Sequence, residues 1–178
     1  MALKKLVIDG YGQIEPNNVT FTRDGRVESQ CAPAAGSVFE NGMLLAVDTA
    51  KREVRLPVEE ETLPVALHYS TEKNYTSSAL KNFVLDAKSG MYPRMGYLTI
   101  GEVFTTNCIC YDNGEYTDET VLKTAITAAN TTPVYGTYST IGAIKVTATK
   151  PENGPVLKVA RATTMPDGQY AVEFSVIA

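Results

Sequence analysis

Residues 156–177 run Val156-Leu-Lys-Val-Ala-Arg-Ala-Thr-Thr-Met-Pro-Asp-Gly-Gln-Tyr-Ala-Val-Glu-Phe-Ser-Val-Ile177. Val156 to Thr163 is rich in strand formers and leads into Met165-Pro-Asp-Gly168, a turn sequence, and Gln169 to Ile177 returns. In the return, Tyr170, Val172, Phe174 and Val176 alternate with Gln169, Ala171, Glu173 and Ser175. A period of two puts four large apolar side chains on one face of a strand, so this stretch predicts a β-hairpin with one buried face.

The same punctuation recurs along the chain. Asp9-Gly10, Asp24-Gly25, Asn41-Gly42, Asn113-Gly114, Asn153-Gly154 and Asp167-Gly168 are dipeptides that tolerate positive φ. Short β-rich runs lie between them, including Gly42 to Val47, Glu53 to Leu56, Val65 to Tyr69 and Tyr97 to Cys110. Val19, Phe21 and Val27, around Arg23-Asp-Gly-Arg26, predict a second hairpin. The expected fold is mostly β, a β-barrel or sandwich of short antiparallel strands. One helix is expected near 118–129: Asp118 or Thr117 caps it, and Val121, Leu122, Ala125, Ile126 and Ala129 form an apolar stripe. A shorter helix is expected at Ser77 to Phe83.

Ala32-Pro-Ala-Ala-Gly-Ser37 and Asp112 to Tyr116 look like connections. They divide the chain into an extended N-terminal arm (1–36), a β-barrel-like unit (37–112) and a C-terminal unit of helix plus hairpin (113–178). The arm has too few large apolar residues to fold alone. It should draw its stability from a neighbour, in the same chain or another.

The 16 Lys and Arg against 20 Asp and Glu leave a net charge of -4, and no basic run exceeds a pair such as Lys4-Lys5. That argues against nucleic acid, whose phosphates call for concentrated positive charge. The apolar run at the N-terminus stops after Ile8, too short for a signal-peptide core, and nothing approaches the roughly 20 apolar residues of a membrane span. The expectation is therefore synthesis in the cytoplasm, with no membrane partner. Three Cys, an odd count, suit a reducing compartment. Without a signal peptide, Asn18-Val-Thr20 and Asn74-Tyr-Thr76 are chance matches to the glycosylation pattern.

The chain offers little for catalysis. His68 is the only histidine, so a Ser-His-Asp or Cys-His centre would have to use it. It lies in the alternating run Leu63-Pro-Val-Ala-Leu-His-Tyr69, on the face of Ala66 and Pro64, which fits a strand histidine at a sheet surface or interface. Cys108-Ile-Cys110 puts two thiols on one strand face; zinc would need Cys31 and His68 as well, at no recognised spacing, so the Cys fit small buried hydrophobes. Glu59-Glu-Glu61 fits a solvated loop, and Asp9-Gly-Tyr-Gly12 lacks the third glycine of a dinucleotide fingerprint. No catalytic residue, metal or cofactor is expected, and the protein is expected not to be an enzyme.

The residues favour contact with other protein. Ten Tyr accompany five Phe and no Trp, and tyrosine suits half-buried surfaces. Met91-Tyr-Pro-Arg-Met-Gly-Tyr97 concentrates the types enriched at interface hot spots. The candidate interface residues are Tyr11, Phe21, Met91, Tyr92, Arg94, Met95 and Tyr97.

A family resemblance points the same way. Asn41-Gly-Met-Leu-Leu-Ala-Val-Asp48, Leu63-Pro-Val-Ala-Leu-His-Tyr-Ser-Thr-Glu-Lys73, Tyr92-Pro-Arg94 and Gly101-Glu-Val-Phe-Thr-Thr-Asn107 resemble small structural proteins of tailed bacteriophages. Gly12-Gln-Ile-Glu-Pro-Asn17 and Phe21-Thr-Arg-Asp-Gly25 are similar to the same class. The likeness covers about residues 10–110, and within the class the pattern is similar to capsid decoration (cement) and minor head proteins. It implies a virion protein on the capsid surface whose partners are the major capsid protein and copies of itself, with a trimer compatible. The arm would then pair as an added strand with a neighbouring subunit. Two alternatives stay open: a tail tube or adaptor component, and a small β module that binds carbohydrate or peptide.

Overall fold

The computed structural model describes residues 3–23, 31–70, 84–86, 88 and 90–178. The protein is mostly β. Its strands are β1 (Lys4–Lys5), β2 (Ile14–Asn18), β3 (Ala32–Pro33), β4 (Val38–Glu40), β5 (Leu44–Asp48), β6 (Glu53–Arg55), β7 (Val65–His68), β8 (Val84–Asp86), β9 (Met95–Gly96), β10 (Val103–Thr106), β11 (Ile109–Tyr111), β12 (Tyr135–Thr137), β13 (Ile144–Thr147), β14 (Leu157–Thr164) and β15 (Tyr170–Val176). Among the described residues, two helices accompany them, α1 (Thr20–Arg23) and α2 (Glu119–Thr127).

The C-terminal hairpin forms as its alternation dictates. Strands β14 and β15 pair antiparallel from Leu157↔Val176 to Thr164↔Tyr170. The turn closes through Gly168 N–H to the Met165 carbonyl (2.8 Å) and Met165 N–H to the Gln169 carbonyl (2.8 Å), with Gly168 at φ 89. Val172, Phe174 and Val176 are buried, and Tyr170 is half-buried. A bulge between Val159 and Arg161 shifts the phase of β14, so Leu157 and Val159 face inward while Arg161 turns out to pair with Glu173 at 2.9 Å. The glycines of the other described turn dipeptides, Gly10, Gly42, Gly114 and Gly154, also have positive φ. Asp24-Gly25 lies outside the described residues, as does the helix expected at 77–83.

This hairpin sits inside an eight-stranded sheet of order β1-β11-β13-β12-β14-β15-β10-β2. A second sheet has the order β3-β6-β5-β7-β9, and β4 pairs with β8 as a ribbon. Most pairings are antiparallel; β11 with β13 and β3 with β6 are parallel. The β11–β13 pair is reached by a long crossover through α2 and β12, the connection that a parallel pair requires.

Two buried clusters result. The larger holds Phe104, Leu122, Ile126, Leu157 and Phe174 among others; the smaller holds Phe39, Leu45, Leu85, Met95, Cys108 and Cys110. Strands β5, β7 and β11 divide them. Leu44, Leu67 and Ile109 belong to the larger cluster, while their neighbours Leu45, Ala66, Cys108 and Cys110 belong to the smaller. These strands are buried on both faces, which explains their nearly unbroken apolar runs.

Helix α2 starts where expected, with the Asp118 carboxylate accepting the Val121 N–H at 2.8 Å. Its buried stripe is Leu122, Ile126 and Ala129, whereas Val121 is 41% exposed and lies off that stripe. Lys123 reaches the Tyr170 ring at 4.8 Å, so the helix lies over the hairpin.

The sheets cut across the expected three-part division. Strands β1 and β2 of the arm, β10 and β11 of the middle and β12–β15 of the C-terminal unit share one sheet. The arm folds back on its own chain: β1 pairs with β11, β2 with β10 and β3 with β6. Exchange of this arm with a neighbouring subunit would first have to break those ladders, so in this structure the arm is an internal element. On the N-terminal side of the hairpin expected around Arg23-Asp-Gly-Arg26, Thr20–Arg23 form the turn of α1, and the rest of that hairpin, Asp24 to Val27, lies outside the described residues. The buried Glu102 carboxylate accepts the Thr20 N–H (2.8 Å) and hydroxyl, and Phe21 is only 3% exposed. A Cβ at Gly96 would fall 1.9 Å from the Phe21 ring, so any side chain there would displace that ring.

Candidate interaction surface

The chemistry-bearing side chains are held inside. His68 is fully buried, with Nδ1 2.8 Å from the Glu40 carbonyl and Nε2 2.8 Å from Ser70 Oγ. A carbonyl only accepts, so Nδ1 carries the proton and Nε2 accepts the Ser70 hydroxyl. Ser70 Oγ also accepts the Arg94 N–H (2.9 Å), and Ser70 N–H donates to Asn41 Oδ1 (2.8 Å). Burial lowers the His68 pKa to about 4, against the opposing pull of the Glu40 carbonyl, so the ring is neutral at pH 7. A serine–histidine contact of this kind can make a nucleophile. Here Ser70 is 5% exposed and its Oγ already serves two partners. The network ties β4, β7 and the approach to β9 together. The expected position of His68 at a sheet surface is corrected: the face it shares with Ala66 is covered, and the Phe39 ring packs edge-on at 6.2 Å.

Cys31, Cys108 and Cys110 are buried free thiols of the smaller core. Burial pushes Cys108 far up and Cys110 up to about 11, which keeps both protonated and unreactive. Among the described residues, no three His, Cys, Asp or Glu come together as a metal ion would require.

Glu59 and Glu60 are exposed as a solvated loop predicts, but Glu61 is not. Its carboxylate takes two bonds from the Arg55 guanidinium (2.6 and 3.0 Å) and the N–H groups of Val58, Thr62 and Leu63. Burial alone would raise its pKa; the Arg55 and backbone hydrogen bonds override it and hold the group at about 2. Glu61 organises the 58–63 loop.

Among the described residues, exposed large apolar side chains are scattered, with Val7 the most exposed at 85%, and three of them fall within residues 91–101. Tyr92 is 58% exposed, Tyr97 36% and Ile100 71%, and Arg94 is also exposed. Between them Pro93, Met95 and Gly96 point inward, while Met91 packs half-buried on the smaller core. The two-sided pattern comes from the β9 pairing: Leu67↔Gly96 and His68↔Met95 anchor the strand, and Tyr69 N–H reaches the Arg94 carbonyl at 2.9 Å. Of the seven candidate interface residues, Tyr92, Arg94 and Tyr97 of this segment are exposed. Phe21 and Met95 are consumed by the protein's own core, since large apolar groups gain more from burial than from waiting for a partner. Tyr11, 38% exposed, lies apart in the β1–β2 loop, which is pinned where Gly12 N–H meets Glu40 and Gln13 N–H meets Asn107.

Ile100 escaped the sequence reading. It occupies a tight turn closed by Glu102 N–H to the Thr99 carbonyl (3.1 Å), with Gly101 at φ 92. Glu102 also accepts the Thr99 N–H at 2.9 Å, and Gly101 N–H bonds the Val176 carbonyl at 2.9 Å. The usable signal was Ile-Gly in Thr99-Ile-Gly-Glu102, an apolar residue ahead of a turn glycine.

The outer strands limit how a partner could bind. In the two larger sheets, β1 is Lys4–Lys5, β2 contains Pro16, β3 contains Pro33 and β9 is two residues long. Lysine, proline and short length all discourage addition of a foreign strand. Contact through outward side chains is what this framework offers.

No protein-family model, curated protein or solved structure matches the chain. No helix among the described residues is long and apolar enough to cross a membrane. The chain is a mostly β protein that leaves Tyr92 and Tyr97 exposed.

Proposed function

We propose that the chain is a structural protein of a bacteriophage virion that binds the outside of the capsid and stabilises it through repeated contacts with the major capsid protein. The observation that carries this reading is the outward set Tyr92, Arg94, Tyr97 and Ile100, mounted on a framework that holds it still. Tyrosine and arginine are the side chains that dominate interface energetics, and a pre-ordered backbone spares the entropy of ordering on contact. The phage likeness along residues 10–110 supplies the setting. A capsid lattice would repeat a modest contact many times, so avidity, not single-site affinity, does the stabilising.

The test is to purify particles from cells carrying the gene, look for the chain by mass spectrometry, and add the isolated chain to capsids at micromolar concentration. Saturable binding, with density on the head in cryo-electron micrographs, is the expected result. Density on the tail would move the protein to a tube or adaptor role. Indifference to every particle would end the virion reading.

The exposure of Tyr92 and Tyr97 favours one second reading, a carbohydrate-binding module with the two rings as its platform. A glycan array separates it: sugar binding that Tyr92→Ala abolishes, without particle binding, would replace the capsid assignment.

A further inference from the structure

Three Asn-Gly pairs stand in this chain, Asn41-Gly42, Asn113-Gly114 and Asn153-Gly154. Such pairs are chemically labile, because glycine has no Cβ to crowd its own nitrogen as that nitrogen approaches the preceding carboxamide. The fold treats the three differently. Asn41 is buried, its Oδ1 accepts the Ser70 N–H (2.8 Å), and the Gly42 N–H donates to the His68 carbonyl (3.0 Å). Asn113 is half-buried; its Nδ2 donates to the Val146 carbonyl, and its Oδ1 accepts the N–H groups of Glu115 and Tyr116 (both 3.2 Å). Asn153 is exposed, with exposed Glu152 and Gly154 on either side, in the loop that joins β13 to β14. Among the described residues, no hydrogen bond engages the Asn153 carboxamide or the Gly154 N–H. We infer that Asn153 is a site of spontaneous deamidation, where the folded protein ages into aspartate and isoaspartate while Asn41 and Asn113 stay intact.

The reaction needs only the chain and water. The Gly154 nitrogen attacks Asn153 Cγ, and a new C–N bond closes a cyclic imide. The bond from Cγ to Nδ2 breaks, and Nδ2 leaves as ammonia, carrying the proton given up by the Gly154 N–H. Water then opens the ring. Attack at the former side-chain carbonyl gives aspartate, and attack at the backbone carbonyl gives isoaspartate, with the chain rerouted through the side chain. Either product adds a negative charge beside Glu152.

The fold keeps the liability in place. Gly154 has φ 76, and a Cβ there would fall 2.6 Å from the Tyr138 ring, so the glycine half of the pair is fixed. At Asn41 the reaction must wait for the His68 network to open, and at Asn113 for release of the carboxamide; the free energy of each local opening slows it. Conversion at Asn153 changes a loop and leaves the ladders alone, since pairing resumes at Val156, whose N–H donates to the Ala178 carbonyl (2.7 Å).

This goes beyond the virion reading and does not rest on it, because the experiment uses the isolated full chain. The protein is held for weeks at mildly alkaline pH and body temperature, then sampled by ion exchange and by peptide mapping with mass spectrometry. Isoaspartate is counted by methyl labelling with an isoaspartyl methyltransferase. An acidic form should accumulate, with Asn153 converting at least about tenfold faster than Asn41 or Asn113. In guanidinium, where no fold protects any of them, the three should convert within about threefold of one another. Asn153→Gln should remove the acidic form while keeping the parent circular dichroism spectrum and melting temperature, since the position is exposed. An intact Asn153 in the folded chain, Asn41 or Asn113 converting as fast as Asn153, or a tenfold gap that persists in guanidinium would each overturn the inference.

Discussion

The His68 network and the 91–101 segment are neighbours, joined by the Arg94 N–H that donates to Ser70 Oγ, and they are opposites in exposure. The network collects the residue types that catalysis uses, then encloses them and satisfies each ring nitrogen. The segment presents two tyrosines, an arginine and an isoleucine to solvent. The difference teaches that residue type sets what a side chain could do, while burial decides whether a partner can reach it. In this protein the polar network acts as a tie that steadies the face carrying the exposed side chains.

The comparison can be attacked first through the arm, where the largest effect is expected. Phe21→Ala should cost about 3–5 kcal/mol in urea unfolding of the isolated chain, because the ring is a core element lying on Gly96. A cost near zero would mean that Phe21 belongs to an interface after all.

The next effect comes from pH. His68 is held neutral in the folded state, with a pKa of about 4 against about 6.5 when unfolded. The unfolded chain therefore takes up the proton first. Stability contributed by the neutral ring is fully present above pH 6.5 and is lost as pH falls towards 4, by about 3 kcal/mol in all. Urea midpoints measured across that interval should fall, and a flat profile would show that the histidine is not sealed.

Glu61→Gln is expected to cost about 1–2 kcal/mol, since it removes charge-assisted bonds to Arg55 and to three backbone N–H groups of one loop. Glu61, lowered to about 2, contributes stability that is present above pH 4.5 and disappears as pH drops further, a window below that of His68. The two acid transitions should separate in the His68→Gln and Glu61→Gln variants.

The smallest stability effect should be at the exposed face. Tyr92→Ala should change unfolding free energy by no more than about 0.5 kcal/mol, because the ring is 58% exposed. The same variant should weaken particle binding markedly. A large loss of stability would make Tyr92 part of the core and remove it from the contact surface.

Local signals carried well where the chain speaks to its near neighbours. The Met165–Gly168 turn, the β15 alternation and the Asp118 cap depend on residues a few positions apart, and all were legible. Failures came where distant segments compete for the same surface. Val19 and Phe21 look like strand residues, yet the Glu102 carboxylate, some 80 positions away in sequence (|i−j| = 82), holds Thr20 in a helical turn. Met95 and Tyr97 share a place in the same candidate segment, yet the pairing of Met95 in β9 with His68 buries one, and the other, past the end of the strand, stays 36% exposed. The same holds for Glu61 among three identical acids: its environment comes from Arg55 and the fold of the loop, not from its type.

By itself the sequence determined the β class, the C-terminal hairpin with its turn glycine and helix α2, because dihedral preferences and side-chain periodicity act over a few residues. Tertiary structure alone decided that the arm completes its own sheet, that His68 is sealed between two ring-nitrogen partners, and that Tyr92, Tyr97 and Ile100 are left exposed while Met95 is buried. Those outcomes rest on which distant surfaces exclude water together, a property of the packed whole that no window of the chain contains.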